Sequence, residues 1–337
     1  MSRSVLFWRP GGIGDALLSI PALQILQRHE YRVHFVGHPG AGSLLRRVGL
    51  VQSSQRQGSS HSADNIYTGA IEIAGRLGLN MDKRAISAML GSPDTIVGFS
   101  TDAMGMSYAF ESLGIPSFTA QHWQPPIGTH QSEFMVLALR NIGILDRYSI
   151  DTVKWDVPTP HIPYLNMSRS VLIAPGSGME YKRWPLESYK ELARKLQSLG
   201  YEPLVLQGPM ESNLQYKREF IGSRVVDLSL EGVAGLVQHR PPFIGSDSGL
   251  THLAALSGCP TIGLYGPTTP EEWGPIGEDV HVIRECQEEP SGAVRVCNND
   301  QCMSQISVNQ VLDIFIRKIN KYDIYNVGGF IDSERYT

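Results

Sequence analysis

Residues 241–277 constrain the fold of this chain more than any other stretch. Phe243-Ile244 is a short apolar strand ending in Gly245-Ser246-Asp247-Ser248-Gly249, and Leu253, Ala254 and Leu256 then mark a helix closed by Gly258 and Pro260. Thr261-Ile262-Gly263-Leu264-Tyr265 reads as a second buried strand, followed by the loop Gly266-Pro267-Thr268-Thr269-Pro270. Strand, polar glycine turn, helix and strand in that order form a βαβ unit, and such units build parallel sheets covered by helices. In a parallel sheet the turn lies at the carboxyl edge, where bare N–H groups and a helix N-terminus favour an anion such as a phosphate. Asp247 and Ser248 also suit ordinary helix caps, and His252 suits a buried helix histidine.

The same grammar opens the chain. Ser4 to Arg9 is a strand, Arg9-Pro10-Gly11-Gly12-Ile13-Gly14-Asp15 a glycine-rich turn, and Leu17, Leu18, Ala22, Ile25 and Leu26 recur at helical spacing. Pro21 falls early in that helix, where it is tolerated. Val33 to Val36 is the next strand. The turn lacks the full spacing of a dinucleotide fingerprint. Asp15 has two readings. A carboxylate in a first helical turn favours the helix dipole, and a carboxylate at the carboxyl edge of a sheet can take the proton of a hydroxyl nucleophile.

Further along, Gln52 to Asp64 is rich in serine and glutamine and reads as a mobile loop. Ile96 to Phe99 is a strand, and a helix opening at Thr129 to Glu133 closes at Gly143, with Thr129 or Ser132 as its cap. Val157-Pro158-Thr159-Pro160-His161-Ile162-Pro163 is stiff and extended, as an interdomain linker would be.

In the second half, strand Val171 to Ala174 leads into Pro175-Gly176-Ser177-Gly178, then Lys182-Arg183-Trp184-Pro185 and a helix from Leu186 to Leu199. Backbone donors, a hydroxyl and two cations at a helix start suit a pyrophosphate. Strand Pro203 to Gln207 is followed by Glu211, a helix cap or an acceptor for a ribose diol. Val225 to Leu228 and Ser229-Leu230-Glu231 repeat strand and helix start, Val308 to Ile319 is a last helix, and a loosely ordered tail follows.

At 337 residues two domains are expected, and 34 glycines with 42% hydrophobic residues fit a doubly wound α/β chain. A net charge of −4 argues against a general nucleic-acid binder. Arginines and lysines outnumber acids before Ser100, a solvated face or a surface for an anionic partner or membrane. No apolar run approaches the roughly 20 residues that span a bilayer. Arg9-Pro10-Gly11-Gly12 breaks the first apolar run, so a secretory signal is not expected. Cys259, Cys286, Cys297 and Cys302 do not suggest a disulfide scaffold, and a cytoplasmic chain is the expectation.

Several of these motifs together resemble glycosyltransferase family 9, the lipopolysaccharide heptosyltransferases. They are Gly12-Ile13-Gly14-Asp15, Pro175-Gly176-Ser177-Gly178 with Lys182-Arg183-Trp184-Pro185, Gly208-Pro209-Met210-Glu211, Ser229-Leu230-Glu231-Gly232, Asp247-Ser248-Gly249 with His252, Gly266-Pro267-Thr268 and Trp273-Gly274-Pro275. Between Leu44 and Gln124 little is recognisable. The resemblance implies a GT-B fold, two Rossmann-like doubly wound domains facing a central cleft: residues 1–160 bind the acceptor, 161–320 the nucleotide sugar, and 321–337 form a tail. It implies inverting transfer of a sugar, heptose from ADP-heptose, onto a lipid-linked inner-core saccharide, with contact at the inner face of the inner membrane.

By matching position Asp15 would be the base, and Lys182 would serve both catalysis and the pyrophosphate, with Ser177, Gly178 and Arg183. Glu211 would hold the ribose and Ser229 and Leu230 the nucleobase. Asp247, Ser248, Gly249 and His252 would line the donor pocket, and Arg9, Gly12 and Gly14 the acceptor side. Leaving-group charge would be neutralised by Lys182, Arg183 and a helix N-terminus without a metal or cofactor. No Asp-x-Asp pair of the kind that holds Mg²⁺ is present, and some relatives have a fuller cysteine cluster where this chain has Cys286, Cys297 and Cys302. A tetrahedral metal site here would need a fourth ligand such as His281. The alternatives are a sugar-nucleotide 2-epimerase of similar two-domain architecture, or transfer from another nucleotide sugar.

Overall fold

A computed structural model describes residues 3–56, 93–100, 107, 111, 117–162, 165–208, 218–286 and 301–326. Two parallel sheets organise them. The first has the order β3-β2-β1-β4-β5, from β1 (Ser4–Trp8), β2 (Arg32–Gly37), β3 (Ser53–Arg56), β4 (Thr95–Ser100) and β5 (Ser117–His122). The second has the order β11-β10-β9-β6-β7-β8, from β6 (Ser170–Ala174), β7 (Glu202–Gln207), β8 (Arg224–Asp227), β9 (Phe243–Ser246), β10 (Thr261–Tyr265) and β11 (Val280–Arg284). In each, the chain builds outward on one side and then returns to the other. The reversal falls between β1 and β4 and between β6 and β9, the switch points at which a cleft opens beyond the strand ends.

Continuous burial explains why the central strands read as unbroken apolar runs. Every residue of Ser4–Trp8, Ser170–Ala174 and Thr261–Tyr265 is buried. Period-two alternation then divides β6 between two cores. Leu172 and Ala174 join the larger core, shared with the first sheet and with α7 (Gly249–Leu256), while Val171 and Ile173 pack under α5 (Leu186–Ser198) and α10 (Val308–Asn326).

Four elements depart from the sequence expectations. The helix after Asp15 is two helices, α1 (Ile13–Leu18) and α2 (Ile20–Arg28), broken at Ser19; Pro21 sits in the first turn of α2, where its missing N–H costs no bond. Ser53–Arg56, inside the expected loop, is edge strand β3, because ladder bonds to His34–Gly37 need only backbone and an edge tolerates polar side chains; residues 57–64 lie outside the described residues. Pro185 is the cap of α5 rather than its first helical residue. Helix α10 runs on to Asn326, into the segment expected as a tail.

The segment expected as a stiff spacer is preceded by a packed strap. Gln24 exchanges two bonds with the backbone of Asp151, Val153 N donates to Leu256 O (2.8 Å) and Trp155 Nε1 to Ser257 Oγ (2.7 Å). Residues 151–157 therefore touch α2 of the first sheet and the end of α7 of the second. Two further elements complete the frame of the cleft: α3 (Pro39–Arg47) and α4 (Gln131–Ala138), the latter continued by a tighter turn over Leu139–Ile142 that ends on left-handed Gly143.

Candidate active site

The turn after β1 exists to hold one carboxylate. Gly11 has φ +121°, and a Cβ there would lie 2.4 Å from Asp15 Oδ2, so only glycine fits. Gly12 N donates to Asp15 Oδ2 (2.8 Å), and Arg9 Nη2 lies 2.6 Å from Oδ1. Arg9 is 2% exposed and also donates from Nη1 to Pro10 O. Asp15 is thus fixed in direction from two sides while a quarter of its side chain stays open. The acceptor-facing roles expected of Arg9, Gly12 and Gly14 change accordingly. Arg9 is buried beneath the carboxylate, and the Gly12 N–H is engaged by that same carboxylate. Gly14 faces the other domain: a Cβ there would meet His252 Cδ2 at 3.0 Å.

That contact joins the two halves. Helices α1 and α7 meet N-terminus to N-terminus, and a Cβ at Gly249 would lie 2.5 Å from Ile13 Cβ and 3.2 Å from Gly14 N. Glycine on both sides lets the backbones approach, bringing Asp15 across from the turns after β6 and β9.

On the facing side Lys182 Nζ lies 2.8 Å from Asp247 Oδ2. Burial opposes the charge of Lys182, but Asp247 outweighs it, with Asp15 adding a smaller attraction; the lysine pKa is raised and the ammonium persists. Ser177 Oγ donates to Asp247 O (2.7 Å), and Arg183 donates from Nε and Nη2 to Ser177 O (3.2 and 3.1 Å). Arg183, expected on a pyrophosphate, is therefore a brace for the loop, and the Ser177 proton is likewise engaged. Gly178 is the open part of this turn, with nothing near the position a Cβ would take. Buried Ser246 ties the loop down, accepting from Trp184 N and bonding Tyr189 Oη.

The remaining expected donor residues divide. Ser229 caps α6 (Leu230–Val237), accepting from Gly232 N (3.1 Å), and Leu230 lies against Gly40 of α3. Ser248 is the cap residue of α7 but makes no capping bond with its side chain. His252 is buried in the middle of the site; burial pushes its pKa down to about 4, against an opposing pull from Asp247, and His130, Asp15 and Lys182 are close enough to act on it. Glu211 and Cys297 lie outside the described residues. Among the described residues no group of three or more His, Cys, Asp or Glu is arranged to hold a metal.

Several groups at the cleft were not anticipated. His130, rather than Thr129 or Ser132, caps α4: its Nδ1 accepts from Ser132 N, which leaves Nε2–H to donate to Gly274 O (3.0 Å). Gly128 N donates to Glu272 Oε1 (3.2 Å), and the rings of Trp123 and Trp273 lie 5.7 Å apart. At the other end of the cleft Glu231 accepts from Ser43 Oγ (3.0 Å) and pairs with Arg47. These partners stand more than a hundred residues apart in sequence. The local signals for them are the Trp273-Gly274-Pro275 and Ser229-Leu230-Glu231-Gly232 motifs. No helix among the described residues is long and apolar enough to cross a membrane.

Residues 148–303 match the profile of glycosyltransferase family 9 (heptosyltransferase). Lipopolysaccharide heptosyltransferase 3 of Escherichia coli K12 is 28% identical over 188 residues, 51% of this chain and 54% of that protein. The match thus spans about half the length of that relative. The structure of E. coli ADP-heptose lipopolysaccharide heptosyltransferase II superimposes with a TM-score of 0.67 at 17% identity, over 95% of this chain and 99% of that one. E. coli heptosyltransferase WaaC with ADP gives 0.62 at 18% identity, over 94% and 99%. The two facing sheets are those of the GT-B fold.

Proposed function

We propose that this chain, whose residues 148–303 match the glycosyltransferase family 9 profile, transfers heptose from ADP-heptose, with inversion, to a lipid-linked inner-core saccharide. One observation carries the reading: a carboxylate clamped by Arg9 and Gly12 at the end of one sheet faces a lysine–aspartate pair, its aspartate buried and its lysine partly open, at the end of the other. Asp15 takes the proton of the acceptor hydroxyl as its oxygen attacks the anomeric carbon. The bond from that carbon to the β-phosphate oxygen breaks on the opposite side, and ADP leaves with the electron pair. Lys182 and the N-terminus of α7 meet the charge that develops on the diphosphate. Lys182 rests on Asp247 in the free protein, so donor binding exchanges that partner for phosphate and frees Asp247 to accept a hydroxyl of the sugar.

The carboxylate of Asp247 makes it a poor phosphate ligand, so diphosphate contact falls to Lys182, Gly178 and the N–H groups of Ser248 and Gly249. Ser229 and Leu230 border the base, with Glu211 on the ribose. Metal ions take no part in this scheme, and chelation is expected to leave turnover unchanged. The acceptor's lipid anchor would bring the enzyme to a membrane surface on the cytoplasmic side. The relatives named above are heptosyltransferases, which leaves the epimerase alternative without support.

Asp15→Asn tests the reading. It keeps the size of the side chain, removes the base and gives up one of the two acceptors that Arg9 and Gly12 use, so transfer should fall by about 10²-fold or more while ADP still binds. Turnover at the wild-type rate would reject Asp15 as the base. A titration series over ADP-, UDP- and GDP-sugars would identify the donor, and preference for a base other than adenine would overturn the ADP-heptose assignment.

A further inference from the structure

Buried polar atoms ordinarily find partners, and those that do not mark places built for something else. Gln131 is the sharpest case here. It is fully buried, and both its amide nitrogen and its amide oxygen lack a hydrogen-bond partner among the described residues. The same holds for His252 Nδ1 and for the hydroxyls of Thr268 and Thr269.

These atoms belong to elements that meet at one seam. Gln131 follows His130, which donates to Gly274 O and acts electrostatically on His252. One helical turn on from Gln131, Met135 Sδ lies 3.4 Å from Ser19 Oγ at the end of the Asp15 helix, so this face of α4 is turned toward that helix. Thr268 and Thr269 lead into α8 (Pro270–Trp273), whose residues Glu272 and Trp273 contact Gly128 and Trp123. Orphaned groups thus stand on elements of both domains that meet at this seam, and among them His252 is close enough to Asp15 to feel its charge.

We propose that Gln131 of the first domain and Thr268 of the second are recognition residues for the hydroxyl groups of a sugar held in the cleft, an inference that rests on the sugar-transfer reading. The chemistry selects this ligand class. An amide offers a donor and an acceptor together, as a hydroxyl does, whereas a phosphate wants donors alone. Neutral His252 presents the same dual character. A neutral, desolvated lining of this kind rejects analogues that lack the matching hydroxyl, because its own groups are then left unpaired.

The experiment compares wild type with Gln131→Leu and Thr268→Val by calorimetric titration with ADP and with ADP-heptose, by steady-state kinetics in acceptor, and by thermal unfolding of the free protein. If the hydroxyls belong to the donor sugar, the variants bind ADP as wild type does but lose about tenfold of the preference for ADP-heptose over ADP. If they belong to the acceptor, that preference survives and the acceptor KM rises about tenfold instead. In both cases Gln131→Leu should not lower the melting temperature, since an apolar isostere removes an unsatisfied amide. Unchanged preference together with unchanged acceptor KM would overturn the inference. So would an equal loss of ADP and ADP-heptose binding with a lowered melting temperature, which marks a structural residue. Wild type that binds neither ADP nor ADP-heptose would reject the sugar-transfer reading itself.

Discussion

Arg9 Nη2 lies 2.6 Å from Asp15 Oδ1, and the guanidinium behind that contact is almost wholly out of water. A buried charge is tolerated when it is paired, and here the pair also fixes the direction of the proposed base. Arg9→Met should therefore cost transfer about tenfold or more while leaving ADP affinity unchanged, with Arg9→Lys intermediate because it lacks the planar fork. Equal losses in ADP binding and turnover would show that Arg9 supports the whole turn instead.

Gly249 is a second point of leverage. A methyl group there would need the space of Ile13 Cβ at 2.5 Å, and backbone on both sides leaves little room to yield. Gly249→Ala is expected to destabilise the protein by about 1–3 kcal/mol, read from urea unfolding. A variant as stable as wild type would mean that the two helices separate without cost.

Acid should loosen the molecule through His252. Its pKa in the folded state is about 4, below the ordinary 6.5, so the unfolded chain binds the proton first. Stability present above pH 6.5 is then lost as pH falls toward 4, by up to about 3 kcal/mol from this group. His252→Gln should flatten the stability-against-pH curve over that window; an unaltered slope would assign the acid sensitivity to other buried histidines.

Trp123 and Trp273 come from different domains, with ring centroids 5.7 Å apart. A double-mutant cycle with alanine at each position should return a coupling of about 1 kcal/mol in unfolding free energy. A coupling near zero would indicate that the rings only share a neighbourhood.

The framework was legible because it is local. Val5, Leu6 and Phe7 are apolar in an unbroken run because helices cover both faces of their strand, and Asp15 stood out because a glycine turn and a helix start frame it. What escaped notice depends on contacts between distant parts of the chain. Arg9 is expected on the acceptor side, and nothing near it in sequence announces that Asp15 folds back over it and buries it. Lys182 reads as a phosphate ligand, and nothing near it in sequence announces that Asp247 already holds it. Ser53 to Arg56 lacks apolar alternation because an edge strand takes its bonds from backbone. His130 and Gly274 are joined only by the approach of two domains.

The strap over residues 151–157 has a consequence for the modularity of the chain. Trp155 and Val153 hydrogen-bond to Ser257 and Leu256, while the backbone of Asp151 is held by Gln24. A chimaera spliced at the proline-rich run after Val157 would graft the second sheet without the residues that finish the end of α7, and would leave Ser257 and Leu256 lacking those partners. The seam at which one half can be exchanged for that of a homologue therefore lies ahead of Asp151. A second-sheet half moved with its own strap should fold as a unit, whereas one cut at the prolines should not.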